Sequence, residues 1–137
     1  MAVVDASVVV DWVAPGSDPE GPARRLLDVL AESGERVVAP RLLKEEVANA
    51  LITGIRRGRW DGAAADDSYQ LLRALPVDLV DQDADLDRAF ELSRRYDEHP
   101  IYDLVYVAVA ERLGQRLITA DATLRRRLVG LDFVVTL

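Results

Sequence analysis

The sequence contains no cysteine, one histidine (His99) and one lysine (Lys44). The first absence excludes disulfide staples, thiolate metal sites and cysteine nucleophiles. With a single histidine and no glycine-flanked serine elbow, a serine–histidine triad has nothing to support it, and His99 is expected to be structural or exposed. No glycine-rich phosphate loop occurs, which argues against nucleotide kinases and dinucleotide enzymes. No apolar run approaches the roughly 20 residues of a membrane span. The apolar start "MAVVDASVVVDWV" is interrupted by Asp5 and Asp11 and has no basic residue before it, so a secretory leader is not expected and the cytoplasm is the expected compartment. The acidic run "DQDADLD" at 81–87 lacks the glycine and the closing glutamate of a calcium loop, and reads as a helix start.

What is present is an ordinary amount of material for one core: 137 residues, half of them hydrophobic and 30% charged, so one domain spanning 1–137 is expected. The formal net charge of −7 looks wrong for a protein that grips a polyanion. Arginine supplies nearly all the positive charge, with clusters "RRGR" at 56–59 and "RRR" at 125–127. These suit solvated helix faces and helix C-termini, or contacts to flanking phosphates.

Short β-branched runs alternate with longer helical ones, the signature of an α/β domain with a parallel sheet of about five strands. The strands are expected at 2–4, 36–39, 77–80, 116–120 and 133–137. Helices are expected over 7–13, over 22–33 with Gly34 as the stop, from Pro40 to about Arg57, over 61–75, over 84–96, from Pro100 to 113, and from Asp121 to about Leu128.

Parallel sheets bind ligands beyond the carboxyl ends of their strands, where the strand order reverses. Asp5 follows the first strand and Asp121 the fourth. If those strands are neighbours, the two acids face one another, although each also suits the N-cap of the short helix after it. In "PRLLKEEVANALITG" the helical phase turns Glu45 to solvent and sets Glu46 at the border of the apolar face formed by Leu43, Val47, Ala50, Leu51 and Gly54. In "HPIYDLVYVAVAERLG" Asp103 shares a face with Val107 and Ala110, opposite the wet side marked by Glu111 and Arg112. A lone carboxylate there is costly unless paired. Tyr102 and Tyr106 read as core packing on the same helix.

Four acids converging on one rim repel one another, so the cluster calls for a cation. All-oxygen ligation selects magnesium or manganese, shared by Asp5, Glu46, Asp103 and Asp121, and this ion is the expected partner of Asp103. Carboxylate-held metals of this kind break phosphodiesters, and once bound they make local field rather than net charge decisive for a nucleic acid.

The stretches "VVDASVVVDW", "EVANAL", "YDLVYVAVAERLG" and "LITAD", in this order and spacing, resemble a PIN-domain ribonuclease, most like the VapC toxins of prokaryotic type II toxin–antitoxin pairs. The resemblance spans nearly the whole chain. It implies an α/β/α sandwich, RNA as substrate, a homodimer, and a cognate antitoxin that inserts its C-terminal segment toward the acidic crevice. It also implies that Asp5, Glu46, Asp103 and Asp121 are metal-binding catalytic acids, with Ser7 and Thr119 as supporting hydroxyls. One departure is that many relatives carry a further acid shortly after the last aspartate, whereas "DATL" has Thr123 there, which leaves the number of metals open.

Two other classes compete. In a receiver-like phosphoacceptor domain Asp5 would be a metal ligand, but such domains carry paired acids after the first strand and no glutamate-bearing helix. In a non-catalytic interaction module the acids would stabilise helix ends, and the apolar surfaces of the helices at 7–13 and 24–32 would be the functional feature.

Overall fold

The computed structural model describes residues 1–137. The elements, in chain order, are β1 (Ala2–Val4), α1 (Ala6–Val13), α2 (Pro22–Ser33), β2 (Val37–Pro40), α3 (Leu43–Arg56), α4 (Gly62–Ala74), β3 (Val77–Val80), α5 (Asp83–Arg95), α6 (Ile101–Leu113), β4 (Leu117–Thr119), α7 (Ala122–Arg127) and β5 (Val134–Thr136). All five strands pair in parallel, in the order β3-β2-β1-β4-β5. Strand β1 therefore lies between β2 and β4, and the order reverses between β1 and β4, with Val4 opposite Ile118. In the receiver-like order β1 lies between β2 and β3. The topology thus rules out the receiver reading.

The strands are short and apolar because the inner ones are covered by helices: β1 and β4 are buried at every position. Helix α6 explains its own composition. It packs against β1, β2, β4 and α5, so Leu104 and the whole run Tyr106–Ala110 are buried. The last turn of α6 is wet as expected, but its charges are not free. Arg112 makes a bidentate pair with the buried Asp85 of α5 (2.6 and 2.8 Å), and Glu111 pairs with Arg88 (2.9 and 3.2 Å). Tyr102, expected in the core, is 63% exposed. It lies in the first turn of α6, whereas Tyr106, one turn further along the same side, is buried.

Gly34 ends α2 in the left-handed conformation (φ 66), as the sequence suggests. Pro40 does not open α3. It is the last residue of β2, opposite Val80, and the helix starts three residues later after a cap at Leu42 that lends no side chain. The fixed φ of proline suits the end of a strand as well as the first turn of a helix, so this boundary was ambiguous in the sequence. At Gly54 a glycine is needed for space: a Cβ there would meet the Trp60 ring at 2.0 Å, and the ring is anchored by Nε1–H donating to the Leu51 carbonyl (2.9 Å).

Candidate active site

The carboxyl edge of β1 and β4 carries the site. Asp5 follows β1 and stands at the N-cap of α1, yet its side chain caps nothing. Its Oδ2 instead accepts from Thr119 Oγ1 (2.6 Å), at the end of β4, and from Ser7 Oγ (2.8 Å). Both hydroxyls are oriented by the backbone, since Ala120 N–H donates to Ser7 Oγ (2.9 Å) and Asp121 N–H donates to Thr119 Oγ1 (3.0 Å). A hydroxyl that accepts from an N–H has its single proton left to give. Both protons go to the same carboxylate oxygen, so the 3.3 Å separation of the two hydroxyl oxygens is proximity rather than a bond. Asp5 is 5% exposed and Thr119 wholly buried. The supporting role expected for Ser7 and Thr119 has this concrete form: they tie the ends of β1 and β4 together through Asp5.

Glu46 lies in the first turn of α3, with its Oε2 accepting from the hydroxyl of Tyr106 on α6 (3.1 Å). Glu45 beside it is exposed, as the helical phase requires. Asp103, in the first turn of α6, has its Oδ2 2.7 Å from His99 Nε2. A carboxylate has no proton to give, so the imidazole donates. His99 is 8% exposed, so of the two expectations for it, structural or exposed, the structural one holds, and Asp103 has a protein partner where only a metal was expected. Tyr106 shares a side of α6 with Asp103, one turn after it, whereas His99 precedes the helix and no helical spacing marks it.

The three acids act on one another. Burial raises the Asp5 carboxyl above its ordinary value, against the two hydroxyl bonds, and the charge of Asp103 adds to the rise. Burial likewise pushes Glu46 up to about 7, helped by the charges of Asp5 and Asp103 and opposed by Tyr106. The Tyr106 hydroxyl is raised by burial and by the same three acids. In each acid the second oxygen takes no side-chain hydrogen bond. The jaws nonetheless stand open: no three acidic or histidine side chains are gathered tightly enough to enclose an ion as they stand.

Asp121 has a different set of partners. Its Oδ1 caps α7, accepting from the N–H groups of Thr123 (2.8 Å) and Leu124 (3.0 Å), and its charge has no part in the shifts of Asp5 or Glu46. The charge of Asp103 bears on Asp5 and Glu46, whereas Asp121 spends one oxygen on the cap of α7 and its Oδ2 takes no hydrogen bond. Of the two N-cap alternatives, the cap reading holds for Asp121 and fails for Asp5. Asp121 remains coupled to the site through its backbone N–H on Thr119.

Positive charge is distributed unevenly around the sheet. At the amino edge Arg36 pairs with Asp78 (2.7 Å), and Glu35 takes both Arg116 (3.0 Å) and the amino terminus (3.3 Å). At the carboxyl edge Arg41, just after β2, and Arg125, Arg126 and Arg127 on α7 form no ion pair. The cluster at 56–59 lies at the far end of α3, about 16 Å along the axis from Glu46.

The family model of the PIN domain matches residues 2–127. A VapC ribonuclease of Mycobacterium bovis and the ribonuclease VapC9 of Mycobacterium tuberculosis are each 32% identical to the chain over 124 residues, covering 90% of it and 88% of their own length. Among solved structures, VapC20 of Mycobacterium tuberculosis, described as a sarcin-ricin loop cleaving toxin, matches with a TM-score of 0.69 at 21% identity, covering 92% of this chain and 94% of that one. This last likeness is one of fold.

Proposed function

The chain belongs to the PIN-domain family, and on that premise we propose that it is a VapC-type ribonuclease toxin whose RNA-cleaving centre is the group formed by Asp5, Glu46 and Asp103. The observation that carries the reading is the way these acids are held. Each has one oxygen fixed by a donor from the fold and the other free of side-chain bonds. An arrangement serving only stability would neutralise such acids with arginine, as happens to Asp85.

PIN ribonucleases are in general metal-dependent, and the all-carboxylate set here fits a hard divalent cation, magnesium or manganese. When bound, such an ion supplies a polarised phosphoryl oxygen and a water of lowered pKa. Asp5, Glu46 and Asp103 would hold it, and its charge would offset both the burial that chiefly raises Asp5 and Glu46 and the smaller repulsion between the acids. Asp121 serves as the fourth acid from the rim, where its Oδ2 takes no hydrogen bond. The unpaired arginines on the same edge answer the objection raised by the net charge, because they offer flanking phosphates local contacts that the paired arginines of the opposite edge cannot. The partners that follow are RNA as substrate and a cognate antitoxin as inhibitor, with a homodimer in the cytoplasm as the working state. No helix is long and apolar enough to cross a membrane.

The test is an RNA cleavage assay with mapped products, with and without Mg2+ or Mn2+, on the wild type, Asp5→Asn and Glu45→Gln. Metal-dependent cleavage by the wild type and Glu45→Gln, and its loss in a folded Asp5→Asn, is the expected result. Undiminished cleavage by Asp5→Asn would remove the proposed centre, and it would leave the non-catalytic interaction module as the surviving alternative.

A further inference from the structure

We propose that His99 is a positioning residue for the acidic centre: its Nε2–H fixes Oδ2 of Asp103, so that Oδ1 is the oxygen presented to Asp5 and Glu46. The inference rests on the assignment of Asp103 to the metal-binding centre. His99 precedes α6, so the contact is not the ordinary pairing of two residues within one helix. It depends on a specially shaped turn. Asp97 (φ 57) and Glu98 (φ 52) are successive left-handed residues, neither of them glycine, and they are the only non-glycine residues in the chain with positive φ. L-amino acids adopt that conformation at an energetic penalty and rarely twice in a row, so the surrounding structure must enforce it.

The surroundings do so at several points. His99 N–H donates to the Tyr96 carbonyl (3.1 Å), Ser93 Oγ donates to the His99 carbonyl, and the Tyr96 hydroxyl donates to the Val129 carbonyl (2.8 Å). These bonds reel the chain back after α5, bury the imidazole to 8% exposure and aim Nε2 at a carboxylate that is itself about one third exposed. A histidine needed only for packing would not require a buried polar ring directed at the one acid of α6 that looks into the site. Asp5 and Glu46 follow the same design, held by Ser7 and Thr119 and by Tyr106. His99 thus completes a set in which every central acid has an oxygen held by an uncharged or aromatic donor. Partners of this kind fix the orientation of a ligand and sharpen its affinity for metal.

The experiment is calorimetric titration of Mn2+ into the full chain, comparing the wild type with His99→Gln and His99→Leu, each checked for cooperative unfolding. Gln can place an amide N–H where Nε2 lies; Leu fills the volume without a donor. The leucine variant is expected to bind Mn2+ about 10- to 100-fold more weakly, and the glutamine variant to keep most of the affinity. Equal affinity in leucine variant and wild type, or equal loss in both variants, overturns the role. A second readout needs no variant: nitrogen chemical shifts of the wild-type imidazole should show a proton on Nε2, and a bare Nε2 overturns the proposal. A wild type that takes up no Mn2+ removes the metal centre itself, whereas a wild type that binds beside an equally tight leucine variant removes only the part assigned to His99.

Discussion

Replacing Glu46 by glutamine should make the metal-free protein more stable, but only where the glutamate is charged. The Glu46 carboxyl is pushed from 4.5 to about 7 by burial and by the charges of Asp5 and Asp103. Between those values the folded chain binds more protons at this position than the unfolded chain does, so folding weakens as pH rises. The stability that Glu46 contributes is complete below its unfolded value and lost as pH passes about 7. The interval sets a ceiling of about 3 kcal/mol, at about 1.4 kcal/mol for each tenfold change. Partial solvation of the side chain screens this to about 1–2 kcal/mol. Glutamine has nearly the same shape and keeps an oxygen for the Tyr106 hydroxyl, so the substitution removes charge and little else. Urea unfolding in the presence of a chelator, at about pH 5 and about pH 8, reads the effect as the difference between wild type and Glu46→Gln. The variant should gain about 1–2 kcal/mol over the wild type at the higher pH and little at the lower. Replacing the chelator with excess Mn2+ should close the gap, because the ion stabilises only the protein that binds it. A gap that is the same at both pH values would refute the claim that burial and neighbouring charge hold Glu46 at a raised pKa.

Three further outcomes follow from other parts of the fold. Arg112→Ala leaves the bidentately paired, buried Asp85 without its cation and should destabilise by about 3 kcal/mol in denaturant unfolding, with much of the loss recovered when Asp85→Ala is added. Gly54→Ala drives a methyl group into the Trp60 ring and should cost about 1–3 kcal/mol, with a change in tryptophan fluorescence as the ring leaves its place; an unchanged spectrum and melting point would show that the contact is soft. Asp121→Asn preserves the cap of α7 and should alter stability by less than about 0.5 kcal/mol. RNA cleavage should fall less in Asp121→Asn than in Asp5→Asn, and an equal loss would put Asp121 among the central acids.

The parts of this structure legible in the sequence are those governed by local rules. Strand positions followed from β-branched runs, and the exposure of Glu45 beside Glu46 followed from helical phase alone. The burial of Asp5 against two hydroxyls suits an acid directly after a buried strand, which has few places to go. The strand order that makes β1 and β4 neighbours was only a supposition in the sequence, and the pairing of Val4 with Ile118 is what joins Asp5 to Thr119. His99 escaped because its placement depends on two left-handed residues with no glycine to mark them. The hydroxyl of Tyr106 escaped because a tyrosine whose ring is core looks the same whether or not its oxygen meets an acid 60 positions away. The cap that Asp121 supplies to α7 was one of two readings left open, since an aspartate serving as a cap and an aspartate serving as a ligand carry the same letter at the same point of the chain.

The pair of hydroxyls on Asp5 has a consequence for the order in which the acidic group is assembled. Residues 5 and 119 are 114 positions apart, and the strand that carries Thr119 is the fourth of five. During synthesis Asp5 leaves the ribosome 114 residues ahead of Thr119, and until then it has no neighbouring β4 to lean on. A chain ending before Leu117 would keep Asp5, Glu46 and Asp103 yet lack the strand that sets Asp5 in place.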